Sequence, residues 1–175
     1  MIILGLESSC DDTAAALLTE RKILSSIVAS QEKTHHPYGG VVPELASREH
    51  TDNICFVVER ALCDAGIDFS EIDAIAVTQG PGLMGALLVG LCYAKGLAFS
   101  LDVPLVGVNH LQGHMASIFF DHPRAEYPAL SLVVSGGHTS LFYMQSDSEF
   151  EEIARTLDCL LYTSDAADER SSVDL

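Results

Sequence analysis

The first thirty residues carry three apolar runs, 1–6, 13–18 and 23–30, each too short for a stable helix and each bounded by polar residues. The connections are Ser8-Ser9-Cys10-Asp11-Asp12 and Glu20-Arg21-Lys22. Runs this short, joined this tightly, predict strands that neighbour one another, so the chain opens as an antiparallel meander. The pattern then changes. Residues 44–65 repeat Leu45, Ile54, Val57, Val58, Ala61 and Leu62 at roughly three- and four-residue spacing, which predicts a helix with Gly66 as its cap. Residues 74–78 read as a buried strand that Gly80-Pro81-Gly82 breaks, and 83–101 as an apolar helix. Gly85, Gly90 and Gly96 weaken that helix unless close packing needs them. Residues 105–108 form another strand, followed at once by a helix carrying His110, His114 and Ile118. Past a boundary at Tyr127-Pro128, strands 130–134 and 140–144 flank Ser135-Gly136-Gly137-His138. The order βββ-αβ-αβ-α, with ββ beginning again, predicts an α/β chain whose second strand pair restarts the topology of the first.

Charge and composition exclude several classes. Nine Lys and Arg against 25 Asp and Glu leave a net charge of −16, which repels polyanions and argues against unaided nucleic-acid binding. A chain 48% hydrophobic and 19% charged is not disordered. The longest apolar runs, 14–18 and 86–91, fall short of the roughly 18 residues a membrane span needs. No basic, apolar leader is present at Met1, and the expected compartment is the cytosol. The five cysteines are odd in number and never spaced CxxC, against both a disulfide framework and a zinc ribbon. Cys55, Cys63 and Cys92 read as small buried thiols.

Few stretches carry chemistry. His110 and His114 are four apart, so on a helix they share a face and can grip one ion, although two imidazoles need a further ligand from elsewhere. Because the helix follows a strand directly, both point toward the carboxyl edge of the sheet. A zinc peptidase would need Glu where Leu111 stands. The turn Gly5-Leu6-Glu7-Ser8-Ser9-Cys10-Asp11-Asp12-Thr13 offers hydroxyls, backbone N–H groups and carboxylates. Gly80-Pro81-Gly82-Leu83-Met84-Gly85 leads a strand into a helix without GK[ST], and its preferred reading is close packing rather than phosphate binding. Ser135-Gly136-Gly137-His138-Thr139 lets a ligand approach bare backbone. There is no GxSxG elbow for a serine nucleophile, and the neighbouring Asp11 disfavours a Cys10 thiolate. The stretch 39–48, with Glu44, Arg48 and His50 nearby, reads as a loop capping the first long helix or lining a cleft.

These segments together resemble one family. Gly5-Leu6-Glu7-Ser8-Ser9-Cys10-Asp11-Asp12-Thr13, Tyr38-Gly39-Gly40-Val41-Val42-Pro43-Glu44-Leu45-Ala46-Ser47-Arg48, Gly80-Pro81-Gly82-Leu83, Gly85-Ala86-Leu87-Leu88-Val89-Gly90, Asn109-His110-Leu111-Gln112-Gly113-His114 and Val134-Ser135-Gly136-Gly137-His138-Thr139 are similar to the tRNA N6-adenosine threonylcarbamoyltransferases, over residues 1–158. The resemblance implies an actin/Hsp70/sugar-kinase-like fold of two ribonuclease-H-like domains. Here that means a first domain over 1–126 and the opening strands of an incomplete second over 127–158. It implies transfer of a threonylcarbamoyl group from threonylcarbamoyl-AMP to N6 of adenosine 37 in tRNAs reading codons that begin with A. It implies one divalent ion, Fe2+ before Zn2+, on His110, His114 and an Asp of the second domain. Val133, Val134, Ser135, Gly136 and Gly137 match the family's substrate-binding strand and turn, and Asp11 is the expected catalytic carboxylate.

The implied partners are tRNA as substrate, an inactive paralogous subunit and a small ATPase, with no membrane. Those partners would supply the basic surface that a −16 chain lacks. Residues 159–175 depart from the family pattern and are expected to be a foreign tail. Without the rest of the second domain, the chain alone is expected to be inactive and to leave strands 130–134 and 140–144 with unpaired edges. Two alternatives share the superfold. A non-catalytic paralogue scaffold is expected to lack the histidine pair, so His110 and His114 stand against it. A sugar or acetate kinase would have no role for them.

Overall fold

The structure is a computed structural model describing residues 1–20, 22–121, 126–134, 139–146 and 149–156. β1 (Ile3–Glu7), β2 (Asp12–Thr19) and β3 (Lys22–Ser30) form the expected antiparallel meander. β4 (Ala74–Gly80) then joins β1 in parallel, and β5 (Leu105–Asn109) joins β4 in parallel, giving the order β3-β2-β1-β4-β5. The short helix α1 (Glu32–His35) and a 3-10 turn over His36–Tyr38 lie in the stretch before α2 (Pro43–Ala65). Proline at the first position of α2 gives up an N–H that has no intrahelical partner anyway. Gly66, at φ 67°, ends it, and the Gly66 and Ile67 N–H groups close onto the carbonyls of Cys63 and Leu62.

One face of the sheet holds the core. Leu4, Leu6, Ala15, Leu17, Ile75 and Val77 point to that face at strand spacing and meet Val57, Val58, Ala61 and Leu62 of α2. α3 (Met84–Leu101) adds Ala94 and Ala98 to the same cluster. This helix has a mean hydropathy of 1.6 over 18 residues, long and apolar enough by composition alone to cross a membrane, a length the separate reading of 86–91 does not register. Its small residues Ala86, Gly90, Ala94 and Ala98 are the buried ones. On the opposite face Gly5, Ala14, Ala16, Ala76 and Val108 line an open trough of about 250 Å³ that reaches Glu7 and Thr78.

The chain divides into two compact units, Met1–Gln112 and Gly113–Leu175, so the division falls inside α4 (His110–Asp121). In the second unit β6 (Ala129–Val134), β7 (Thr139–Met144) and β8 (Phe150–Arg155) form an antiparallel sheet in that order. The expectation that strand 140–144 keeps an unpaired edge is corrected: β7 pairs on both sides, and among the described residues β6 and β8 are the edges. β8 escaped the sequence reading because Phe150-Glu151-Glu152-Ile153-Ala154-Arg155 lacks apolar alternation. The cysteine expectation is also corrected. Cys55, Cys63 and Cys92 are exposed, because the packed faces of α2 and α3 are taken by their neighbours in register. Residues 159–175 lie outside the described residues.

Candidate functional site

The carboxyl ends of the three parallel strands converge on one set of polar groups. β1 ends in Glu7, and the register Leu6 to Val77 sets Thr78 of β4 beside it. β5 ends in Asn109, whose side-chain Oδ1 accepts the Leu111 and Gln112 N–H groups at 2.9 and 3.3 Å. That cap fixes where α4 starts and makes His110 its first residue. The Glu7 carboxylate is then heavily used. Oε2 accepts from His110 Nδ1 at 3.1 Å and from the Thr78 hydroxyl at 2.5 Å, while Oε1 accepts the Ser9 N–H at 2.5 Å. Ser9 Oγ lies 3.2 Å from the same Nδ1. Burial pushes the Glu7 carboxyl up, but the hydrogen bonds from His110, Ser9 and Thr78 together outweigh it and bring it to about 2. His110 moves the other way. Its hydrogen bond to Glu7 raises it, burial opposes, the Glu7 charge adds to the rise, and the net direction is up.

The turn between β1 and β2 is clamped from three directions. The Ser8 hydroxyl donates to the Ala86 carbonyl of α3 at 2.9 Å, and Gly90 of the same helix leaves room for it. The Leu83 N–H donates to the Ser9 carbonyl at 2.8 Å, and a Cβ on Gly82 would stand 2.6 Å from that same oxygen. The Gly80-Pro81-Gly82 turn thus serves close packing. From α2, the buried His50 donates from Nε2 to the Cys10 carbonyl at 3.0 Å and accepts the Thr13 hydroxyl at Nδ1, 2.7 Å away. Burial, a hydrogen bond with Asp11 and the charges of Asp11, Asp12 and Glu7 push the Cys10 thiol up to about 11. It stays protonated at neutral pH, in line with its rejection as a nucleophile.

Asp11 is half-buried in this turn, and its carbonyl accepts the Gln31 N–H at 2.9 Å. His114 lies one helical turn beyond His110 on α4 and is exposed. Among the described residues no group of three His, Cys, Asp or Glu side chains is gathered as a metal set. Val133 and Val134 close β6, opposite Ser140 and Thr139 of β7. Ser135, Gly136 and Gly137 lie outside the described residues. Glu7, Ser9 and Thr78 were not singled out from the sequence. The available signal was a lone carboxylate ending an apolar strand that sits between two others.

Comparison with known proteins gives consistent matches. The family model described as tRNA N6-adenosine threonylcarbamoyltransferase matches residues 22–170. A protein of that name from Thermodesulfovibrio yellowstonii is 54% identical over 158 residues, covering 90% of this chain and 47% of the relative. One from Clostridium perfringens is 58% identical over the same length and coverage. The chain therefore spans about half the length of the curated relatives it matches. Among solved structures, YeaZ from Pseudomonas aeruginosa is similar at 24% identity and TM-score 0.59, over 89% of this chain and 66% of that one. A ROK hexokinase from Thermus thermophilus is similar at 20% identity and TM-score 0.51, over 82% and 46%. These two likenesses show the fold, a mixed α/β architecture of the actin and sugar-kinase kind.

Proposed function

Because the chain belongs to the tRNA N6-adenosine threonylcarbamoyltransferase family, we propose that it is the N-terminal portion of an enzyme that forms threonylcarbamoyladenosine in tRNA. The reading is carried by 52–58% identity to proteins of that name over 90% of the chain. In it, residues 1–126 are a ribonuclease-H-like domain, 127–158 open a second of the same kind, and the compartment is the cytoplasm. The donor is threonylcarbamoyl-AMP and the acceptor is N6 of adenosine 37 in tRNAs reading codons that begin with A. N6 attacks the carbamoyl carbon and a C–N bond forms. The C–O bond to the phosphate breaks, AMP leaves with the electron pair, and N6 gives up a proton.

The chain's own residues have distinct parts in this reading. His110 and His114 hold one divalent ion, iron before zinc, with an Asp of the second domain, from the part of the protein beyond this chain, as the further ligand. The donor chemistry fits, since two imidazoles stand one helical turn apart and the first rests its Nδ1 on a carboxylate. Such an ion, when bound, acts as a Lewis acid toward a carbonyl or phosphoryl oxygen. Val133, Val134, Ser135, Gly136 and Gly137 position the donor, the glycines offering backbone N–H groups with no side chain in the way. Asp11 takes the proton released by N6. A chain of net charge −16 relies on an inactive paralogous subunit and a small ATPase for the basic surface that meets tRNA.

The test is a chimera joining residues 1–158 to the C-terminal half of a full-length relative, incubated with donor, partner proteins and unmodified tRNA. Nucleoside digestion and mass spectrometry should detect modified adenosine from the chimera, none from its His110→Ala variant and none from the 175-residue chain alone. A folded chimera that makes no product, or full turnover by the chain alone, overturns the reading.

A further inference from the structure

Three described histidines have hydrogen bonds that dictate which ring nitrogen carries the proton. His50 faces a carbonyl at Nε2, so Nε2 must donate, and its Nδ1 accepts a hydroxyl proton from Thr13. His35 receives the Val42 N–H at Nδ1, 3.2 Å away, so it too is protonated on Nε2, which meets the Gln31 side-chain oxygen at 3.1 Å. His110 is reversed. Its Nδ1 lies 3.1 Å from Glu7 Oε2, an oxygen that also accepts the Thr78 hydroxyl, and the Ser9 hydroxyl 3.2 Å from the same Nδ1 can either accept or donate, so the carboxylate oxygen sets Nδ1 as the donor.

The carboxylate is itself immobilised. The Ser9 N–H holds one oxygen and the Thr78 hydroxyl the other, so Glu7 cannot turn aside without breaking bonds to two neighbouring segments. Nor can His110 drift along the strand edge, because the Asn109 cap fixes the start of its helix. We propose that Glu7 is a positioning residue that fixes His110 as the Nδ1–H tautomer, so that the lone pair of the neutral ring lies on Nε2, the atom offered to the divalent ion. The ligand part rests on the metal reading given above. The tautomer part does not. A carboxylate behind a ligating imidazole also raises its basicity, and loss of such a partner commonly weakens metal affinity about 10- to 100-fold.

The experiment reads the ring nitrogens directly. The 15N-labelled 175-residue chain, held metal-free with a chelator at alkaline pH, is examined by two-bond 1H–15N correlation of its imidazoles. His110 should show the Nδ1–H pattern while His35 and His50 show Nε2–H as internal references. Glu7→Gln, whose amide oxygen still accepts, should keep the Nδ1–H pattern. Glu7→Ala should revert to Nε2–H, the form free imidazole side chains prefer. An Nε2–H pattern at His110 in the unaltered chain overturns the proposal, whether or not any variant folds. So does an Nδ1–H pattern that survives Glu7→Ala while His35 and His50 report an intact fold. Equilibrium dialysis with Zn2+ then separates the two layers. Glu7→Ala should weaken binding about 10- to 100-fold, and His110→Ala by at least as much. Zinc binding indifferent to His110→Ala refutes the metal reading, while the tautomer result independently supports the positioning of the ring.

Discussion

Alanine at two glycines of α3 should act with opposite sign. Gly96 has no atom within 4 Å of where a Cβ would be, so Gly96→Ala only removes glycine's penalty in a helix and should stabilise by about 0.5–1 kcal/mol. At Gly90 the same Cβ would lie 2.4 Å from Ser8 Oγ and 3.3 Å from Ser8 Cβ. Ser8 is 1% exposed and its hydroxyl is bonded to the Ala86 carbonyl. Rotating that hydroxyl away gives up the bond inside the core, which costs about 1–3 kcal/mol. Leaving it in place pushes α3 off the turn, and overpacking of this kind also costs about 1–3 kcal/mol. Either route at least matches the propensity gain of about 1 kcal/mol, so Gly90→Ala should destabilise by up to about 2 kcal/mol net. The assay is urea unfolding of the chain, the two single variants, Ser8→Ala and the Ser8→Ala/Gly90→Ala pair. With the hydroxyl removed, the double variant should recover about 1 kcal/mol or more over Gly90→Ala, a coupling distant sites do not show. If Gly90→Ala stabilises as Gly96→Ala does, or Ser8→Ala gives no relief, the seating of the turn on α3 has been read wrongly.

Acid and base should erode the Glu7–His110 pair from opposite sides. Glu7 at about 2, against an ordinary 4.5, stabilises the fold fully above pH 4.5 and loses that contribution as the pH falls toward 2. His110, raised above 6.5, contributes fully below pH 6.5 and loses its share as the pH rises through its folded-state value. The pair should therefore help most between these limits, by about 2 kcal/mol after allowance for its partial exposure. Urea midpoints measured against pH should show the acid limb flattened in Glu7→Gln, and parallel profiles would sink the argument. Thr13→Val leaves Nδ1 of the buried His50 without its proton donor and should cost about 1–3 kcal/mol in the same assay, with no change in the urea slope. A variant as stable as the parent would show that His50 does not hold the turn.

The sheet was legible because its signals are local. Each of β1 to β5 is a short apolar run between turn residues, and Gly66 marks a helix end by chemistry that survives any tertiary context. β8 was not legible, since Phe150 and Ile153 are too few to set a period among three charges. The cysteines failed for a related reason. At Cys55 and Cys63 the helical period of α2 is real, but its buried stripe runs through Ile54, Val58 and Leu62, one position away. The site divides in the same manner. His110 and His114 stand out as a candidate pair because residues four apart share a helix face, whereas Glu7 looks like the ordinary polar end of a strand. Its importance depends on β4 and β5 arriving from about seventy and a hundred residues away to set Thr78 and His110 against it. A spacing rule cannot register that, but a topological one can. In an order of β3-β2-β1-β4-β5, β1 is the central strand and its neighbour β4 runs parallel to it, so the residue ending β1 stands where ligands of α/β sheets collect. A carboxylate there, in a strand otherwise apolar, costs desolvation that a structural role does not require. The three hydrogen bonds found on Glu7, from the Ser9 N–H, the Thr78 hydroxyl and His110 Nδ1, are what offset that cost.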